Sequence, residues 1–210
     1  MRAKIPRVDA VLYTHPHADH LHGIDELRSF NFIQGTSIPL FGNAWTCHEL
    51  KYKFDYIFRP GPMEGGGVPL LELNEIAGST PLLDIQGVPV IPVSLAHGSK
   101  ETLGYRIDSV AYVIDCSYIA PQSLERLKGL DVLVLDCLRL EPHGTHLNLE
   151  QALEVVSQVR PKQTFLTHLG HDFDYVKWGK KLPRGVALAY DGLMFKTKGS
   201  LHDSRRTKRN

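Results

Sequence analysis

Cysteine is scarce in this chain and forms no pattern. Cys47, Cys116 and Cys137 are an odd set at wide spacings with no C-x-x-C pair, which argues against a disulfide framework and predicts a reducing compartment. Long apolar runs are missing as well. No segment reaches the length needed to span a bilayer, and Met1 to Pro6 lacks the apolar core of a signal peptide, so a cytoplasmic protein with no membrane partner is expected. Neither sign of charge dominates: Lys and Arg number 24 against 23 Asp and Glu, so no global field recruits nucleic acid. Arg205, Arg206, Lys208 and Arg209 form the one basic cluster, read as a solvated tail over residues 197–210. Internal repeats and low-complexity segments are absent, and 210 residues suit one domain, here residues 1–196, large enough to bury a sizeable core.

Histidine, by contrast, is clustered. Nine of the eleven histidines lie between His15 and His22, at His97, in the pair His143/His146 and in the pair His168/His171. The densest stretch is Thr14-His15-Pro16-His17-Ala18-Asp19-His20, directly after the apolar run Val8 to Tyr13. That run reads as a buried strand, and Leu21 to Arg28 has the apolar spacing of a helix. His15 and His17 therefore fall in a strand-to-helix loop and can turn to one point, while Asp19 and His20 at the helix start can face a second. Imidazole with carboxylate is a ligand set for zinc, manganese or iron, and catalytic sites keep a position open for water. The competing reading is a polar loop that is merely rich in histidine.

Further along, strands and helices alternate. Ile38 to Phe41 predicts a strand, Asn43 the cap of a helix from Ala44 to about Phe54, and Leu70 to Ile76 another strand. Prolines and glycines between Arg59 and Val68 predict a mobile loop that could border a site. Val88 to Ser94 reads as an edge or bulged strand because of its two prolines, and Leu103 to Ile107 with Val110 to Ile114 as a hairpin about Asp108-Ser109. Pro121 to Leu127 reads as a short helix, Asp131 to Leu135 as a strand, and Asn148 with Gln151 as a capping box opening a helix. Gln163 to Leu166 and Val186 to Tyr190 are expected strands, with a short helix over Tyr175 to Lys181 between them. Histidine or aspartate recurs just past strand ends, which is how α/β folds assemble one site from distant segments. Asp115 ends an apolar strand, where a charge is costly unless it coordinates something. Asp136 and Asp191 occupy similar ends and are expected in supporting or turn roles.

The H-x-H-x-D-H box resembles that of the metallo-β-lactamase fold hydrolases. The matching stretches continue with Leu95-Ala96-His97-Gly98, Leu103 to Ile107, Tyr112 to Ser117, His143 to Leu149 and Leu166 to His171. Together they resemble the cyclic-phosphate phosphodiesterases of the phosphonate-utilisation type. The resemblance implies an α/β fold: an αββα sandwich of two mixed sheets with outer helices. It implies that His15, His17 and His97 bind one divalent ion, zinc or manganese, that Asp19, His20 and His168 bind a second, and that Asp115 bridges the two. It makes His146 an active-site histidine outside the ligand set, and His146 and Asp19 the residues placed for catalysis. His143 and His171 have weaker claims, and His22 is expected to pack.

Proteins of this fold carry more chain ahead of the first box than the few residues present here, so the opening hairpins of the first sheet are expected to be missing. That predicts a first strand at an exposed sheet margin and association into a homo-oligomer. The implied activity is hydrolysis of a small phosphodiester, cyclic ones included, by a metal-bridging hydroxide. Rivals are an RNA-processing endonuclease, a lactone or thioester hydrolase, and a metal-binding remnant without turnover.

Overall fold

The apolar run ahead of the first histidines pairs as a strand only over Val11–Leu12 (β1), parallel to Ile38–Gly42 (β2), which pairs in parallel with Leu71–Glu75 (β3). Ile38 and Leu40 are buried while Pro39 and Phe41 are only half-buried, the alternation of a strand with one face in the core. This is the smaller of two sheets in a computed structural model that describes residues 5–59 and 67–197. The larger has seven strands in the order β10-β9-β8-β7-β6-β5-β4. They are Leu83–Ile85 (β4), Val88–His97 (β5), Lys100–Ile107 (β6), Val110–Val113 (β7), Val132–Asp136 (β8), Gln163–Thr167 (β9) and Val186–Leu188 (β10).

Leu12 and Ile76 pack on Val90, Leu103 and Tyr105 and so bring the two sheets face to face. The Tyr105 hydroxyl donates to the Tyr13 carbonyl at 2.7 Å across this seam. Helices cover the outer faces. Leu27–Gln34 (α2) and Ala44–Lys53 (α3) bury Phe30 and Leu50 against Ile38 and Leu40, with the single turn Asp55–Phe58 (α4) beside them. Pro121–Arg126 (α5) and Leu149–Val159 (α6) lie on the second sheet, where Ala152 and Val159 meet Leu133, Leu135 and Leu166. A last short helix, Tyr175–Gly179 (α7), leads into β10. The layers are therefore helix, sheet, sheet, helix, the sandwich the sequence resemblance implied.

The strand directions place the site. β7, β8 and β9 are mutually parallel, and two antiparallel steps through β6 return β5 to the same direction. His97, Asp115, Asp136 and His168 thus all emerge at one edge of the sheet.

Two expectations need correcting. The helix from Leu21 to Arg28 is broken into Ala18–Leu21 (α1), a 3₁₀ stretch His22–Glu26, and the start of α2. Gly23, a poor helix former, sits in the break. Val88 to Ser94, expected as an edge or bulged strand, belongs to an inner one: β5 runs ten residues between β4 and β6. Its two prolines are tolerated because each falls beyond one partner: β4 reaches only Val90 and leaves Pro92 unpaired on that side, and β6 pairs from Val90 onward and leaves Pro89 unpaired on the other. β4 itself follows no sequence signal. The expected margin is present, since among the described residues β1 pairs only with β2, and an apolar hollow of about 380 Å³ lined by Val8, Leu12, Ile85, Val88, Val90 and Ile107 opens beside it. The expected glycine-proline loop (60–66) and the basic tail beyond residue 197 lie outside the described residues.

Candidate metal centre

His15 and His17 extend from the end of β1, and the Thr14 carbonyl accepts from Leu103 N at 2.9 Å, which ties this loop to β6. Lys53 of α3 donates to the Pro16 carbonyl between the two histidines at 2.9 Å. The loop is therefore held from both sides. His15 is fully buried and its Nε2 lies 2.9 Å from His17 Nδ1. Its other nitrogen meets the Thr14 hydroxyl at 3.1 Å. His97 Nδ1 lies 2.9 Å from the Thr145 carbonyl, so that nitrogen carries the proton and Nε2 is left with its lone pair. One ligand atom each from His15, His17 and His97 lies within 4.8 Å of the others. Burial lowers the pKa of both His17 and His97, keeping these rings neutral and able to donate a lone pair.

The second group is built around Asp115. Its side chain is buried, at 2% exposure, with Oδ2 at 3.0 Å from His15 Nε2 and 2.8 Å from His20 Nε2, and Oδ1 at 3.1 Å from His168 Nε2. Asp19 Oδ2 lies 3.1 Å from His20 Nε2 and 3.8 Å from His168 Nε2. Burial pulls the Asp115 pKa up, but the close His15 and His20 rings and the facing charges of His168 and His20 outweigh it, holding the carboxyl well below its usual range. Even so, His20 Nε2 and Asp115 Oδ1 are buried without a properly directed hydrogen-bond partner. Near neighbours that do not point at one another, with orphaned polar atoms between them, converge on a shared point, which fits a ligated ion. Asp19 is 69% exposed at its side chain while His15 and Asp115 form a dry floor, so the site opens to solvent on one side.

Asp115 and His168 both hold left-handed backbone, with φ of 51° and 60°. Such strain in non-glycine residues persists only where surroundings enforce it, and both lie at the site. The Thr102 hydroxyl donates to the Asp115 carbonyl at 3.0 Å and helps hold the turn.

Asp136 does more than its place at a strand end suggested. It is completely buried, and Oδ2 accepts from Leu147 N at 3.1 Å and Cys116 N at 3.3 Å while lying 3.2 Å from His146 Nδ1. Oδ1 faces His168 Nδ1 at 3.7 Å. One carboxylate thus orients His146 and faces a histidine of the second group, without a hydrogen bond to it at that distance. Its sequence signal was the one that singled out Asp115, an acid closing an apolar run. Asp115, Asp136, His146 and His168 also offer ligand atoms within 4.8 Å of one another. His146 stacks on His168 at 5.0 Å between ring centroids and lies edge-on to His97 at 4.9 Å.

All eight predicted site residues, His15, His17, Asp19, His20, His97, Asp115, His146 and His168, therefore meet in one place. His143 stands at the rim, 5.2 Å from His146, whereas His171 is fully exposed and His22 packs on Phe54. The neighbouring Cys116 and Cys137 are free and buried; burial raises both thiols, Cys137 to about 12, and neither joins the ligand clusters among the described residues. Sequence reading missed Trp45, whose ring lies 5.8 Å from His17 and 6.4 Å from His15.

The model of the beta-lactamase superfamily domain matches residues 1–169. The chain belongs to that superfamily. With the superfamily fold comes a metal-dependent hydrolase framework, and the candidate ligands occupy its strand ends. A crystal structure described as a new diphosphatase from the PhnP family superposes with a TM-score of 0.83 at 37% identity, covering 91% of this chain and 72% of that one. Zinc-bound PqqB from Methylobacterium extorquens shares the fold, with a TM-score of 0.69 at 17% identity over 90% of this chain and 73% of its own. An octanoyltransferase of Porphyromonas gingivalis (strain ATCC BAA-308 / W83) is 31% identical over 193 residues. The match takes in 91% of this superfamily chain but 38% of the relative, so the chain spans well under half of that protein's length. No described helix is long and apolar enough to cross a membrane.

Proposed function

We propose that this chain hydrolyses a phosphate ester at a binuclear metal site. His15, His17 and His97 hold one ion, Asp19, His20 and His168 the other, and Asp115 both. The observation that carries the reading is the division of labour around Asp136. The ligand set is complete without His146, and a buried carboxylate fixes that ring beside the cluster. When bound, two divalent ions supply Lewis-acid polarisation of the phosphoryl oxygens and acidify a water to serve as nucleophile near neutral pH. His17 and Asp19 at the solvent-facing rim leave the approach open to substrate. Asp136 keeps the proton of His146 on Nδ1 when the ring is neutral, and the protonated ring gives the Nε2 proton to the departing oxygen. As water oxygen bonds to phosphorus, the ester P–O bond breaks and the leaving oxygen takes that proton.

The preferred substrate is a small phosphodiester. A diphosphate linkage is a second reading, favoured by the diphosphatase relative at 37% identity. Metal-loaded protein should turn over bis(p-nitrophenyl) phosphate faster than p-nitrophenyl acetate or an acyl thioester. Preference for the acyl substrates would replace this proposal with ester or thioester hydrolysis.

A further inference from the structure

His143 stands next to His146 and outside the ligand set, its ring 5.2 Å away and tilted by 45°. Its Nδ1 accepts from Thr145 N–H at 3.3 Å, and the Thr145 hydroxyl meets the same nitrogen at 3.2 Å. A backbone N–H can only donate, so Nδ1 must hold its lone pair, and the neutral ring carries its proton on Nε2. Burial, then the charges of Arg139 and His146, lower the pKa of the ring against the opposing pull of Asp136, which keeps it neutral. The loop is braced on both sides of it. Arg139 donates to the Glu141 carbonyl at 3.2 Å and the Pro142 carbonyl at 2.6 Å, and the Thr145 carbonyl accepts from His97 Nδ1 at 2.9 Å. Thr145 thus holds a candidate ligand with its carbonyl and His143 with its N–H. Among the described residues Nε2 of the half-buried His143 has no hydrogen-bond partner. Gly144 beside it is exposed, and a side-chain carbon placed there would meet nothing within 4 Å. A donor of fixed tautomer, one ring beyond the acid and with open space at its side, is arranged to meet the leaving group.

We propose that His143 donates from Nε2 to an oxygen of the departing alcohol other than the ester oxygen. The site then selects phosphodiesters whose leaving group carries an ether or hydroxyl oxygen near the scissile bond over those with a purely alkyl leaving group. The inference rests on the hydrolase reading, with His146 as the acid, and names the leaving group that this site favours. The phosphoryl oxygens belong at the ligand cluster and the ester oxygen at His146, which leaves the next oxygen along the alcohol for the donor one ring further out. His143 binds and selects and transfers no proton.

The probes are bis(2-methoxyethyl) phosphate and dibutyl phosphate, equal in length and differing by an ether oxygen in place of a methylene in each arm. The test uses His143→Leu, which removes the donor, and His143→Gln, whose amide can accept from Thr145 and still donate outward. In metal-loaded His143→Leu the ratio of kcat/KM for the ether ester over the alkyl ester should fall about fivefold, the contribution of one neutral hydrogen bond. His143→Gln should restore most of it. A purely structural role would lower both esters alike and leave the ratio unmoved. If the ratio changes less than about twofold, the inference is wrong even with hydrolysis intact. If the wild type cleaves neither ester, the hydrolase reading fails, and the equilibrium affinities of the two esters for the metal-loaded wild type and His143→Leu decide instead. A shift of the same size in their ratio supports the donor role, and an unchanged ratio overturns it.

Discussion

Replacing Asp136 by Asn tests whether one buried carboxylate serves two histidines. The change is nearly isosteric, so packing is preserved and only charge and donor pattern differ. Oδ2 accepts from two backbone N–H groups and from the His146 ring, so this position must remain an acceptor. The amide nitrogen is then forced to the Oδ1 position, facing His168 Nδ1 at 3.7 Å. When His168 coordinates through Nε2, its Nδ1 carries a proton, and two donors confront each other; flipping the amide moves the conflict to Cys116 and Leu147 instead. Asparagine cannot satisfy both sides. Losing one charge-assisted hydrogen bond costs about 1.5–3 kcal/mol, or roughly 10- to 150-fold in turnover if it is felt in the transition state. A supporting group behind a ligand histidine also changes metal affinity by roughly 10- to 100-fold. The assay compares kcat for an alkyl phosphodiester and for bis(p-nitrophenyl) phosphate at saturating metal, alongside a chelator titration. The alkyl ester should suffer most, because its leaving oxygen needs the proton. Wild-type kcat on that ester, with unchanged metal affinity, would refute the reasoning.

His146→Ala should keep both ions while lowering turnover by roughly 10²- to 10⁴-fold on a poor leaving group and much less on a good one; loss of metal instead would make His146 a ligand. Asp115→Asn should leave less than half of the metal bound on elemental analysis, because a neutral amide is a poor bridge between the two groups that its carboxylate touches. Lys53→Met removes the donor to the Pro16 carbonyl and should weaken metal binding about tenfold in a competition titration, with little change in the thermal midpoint.

The candidate ligands were legible because each stands where an apolar run stops, a boundary set by composition, while their grouping about two ions came from the family resemblance. Thr14 to His20, His97, Asp115 and His168 could all be placed from short stretches, and the helix caps at Asn43 and Asn148 and the hairpin about Asp108 followed from local turn chemistry. What could not be read were relations across the sheet. The partnership of Asp136 with His146 and His168 depends on β8 lying between β7 and β9. Trp45 gains its place beside His15 and His17 only from α3 packing near β6. β4 escaped notice because three residues carry no period, and its presence turned an apparent edge strand into an inner one.

The account stands most directly on activity measured against metal content. Metal-free protein titrated with zinc or manganese should show bis(p-nitrophenyl) phosphate turnover that stays low through the first equivalent, rises with the second, and levels off near two ions per chain. Full activity at one equivalent, or two tightly bound ions with no turnover, would contradict it.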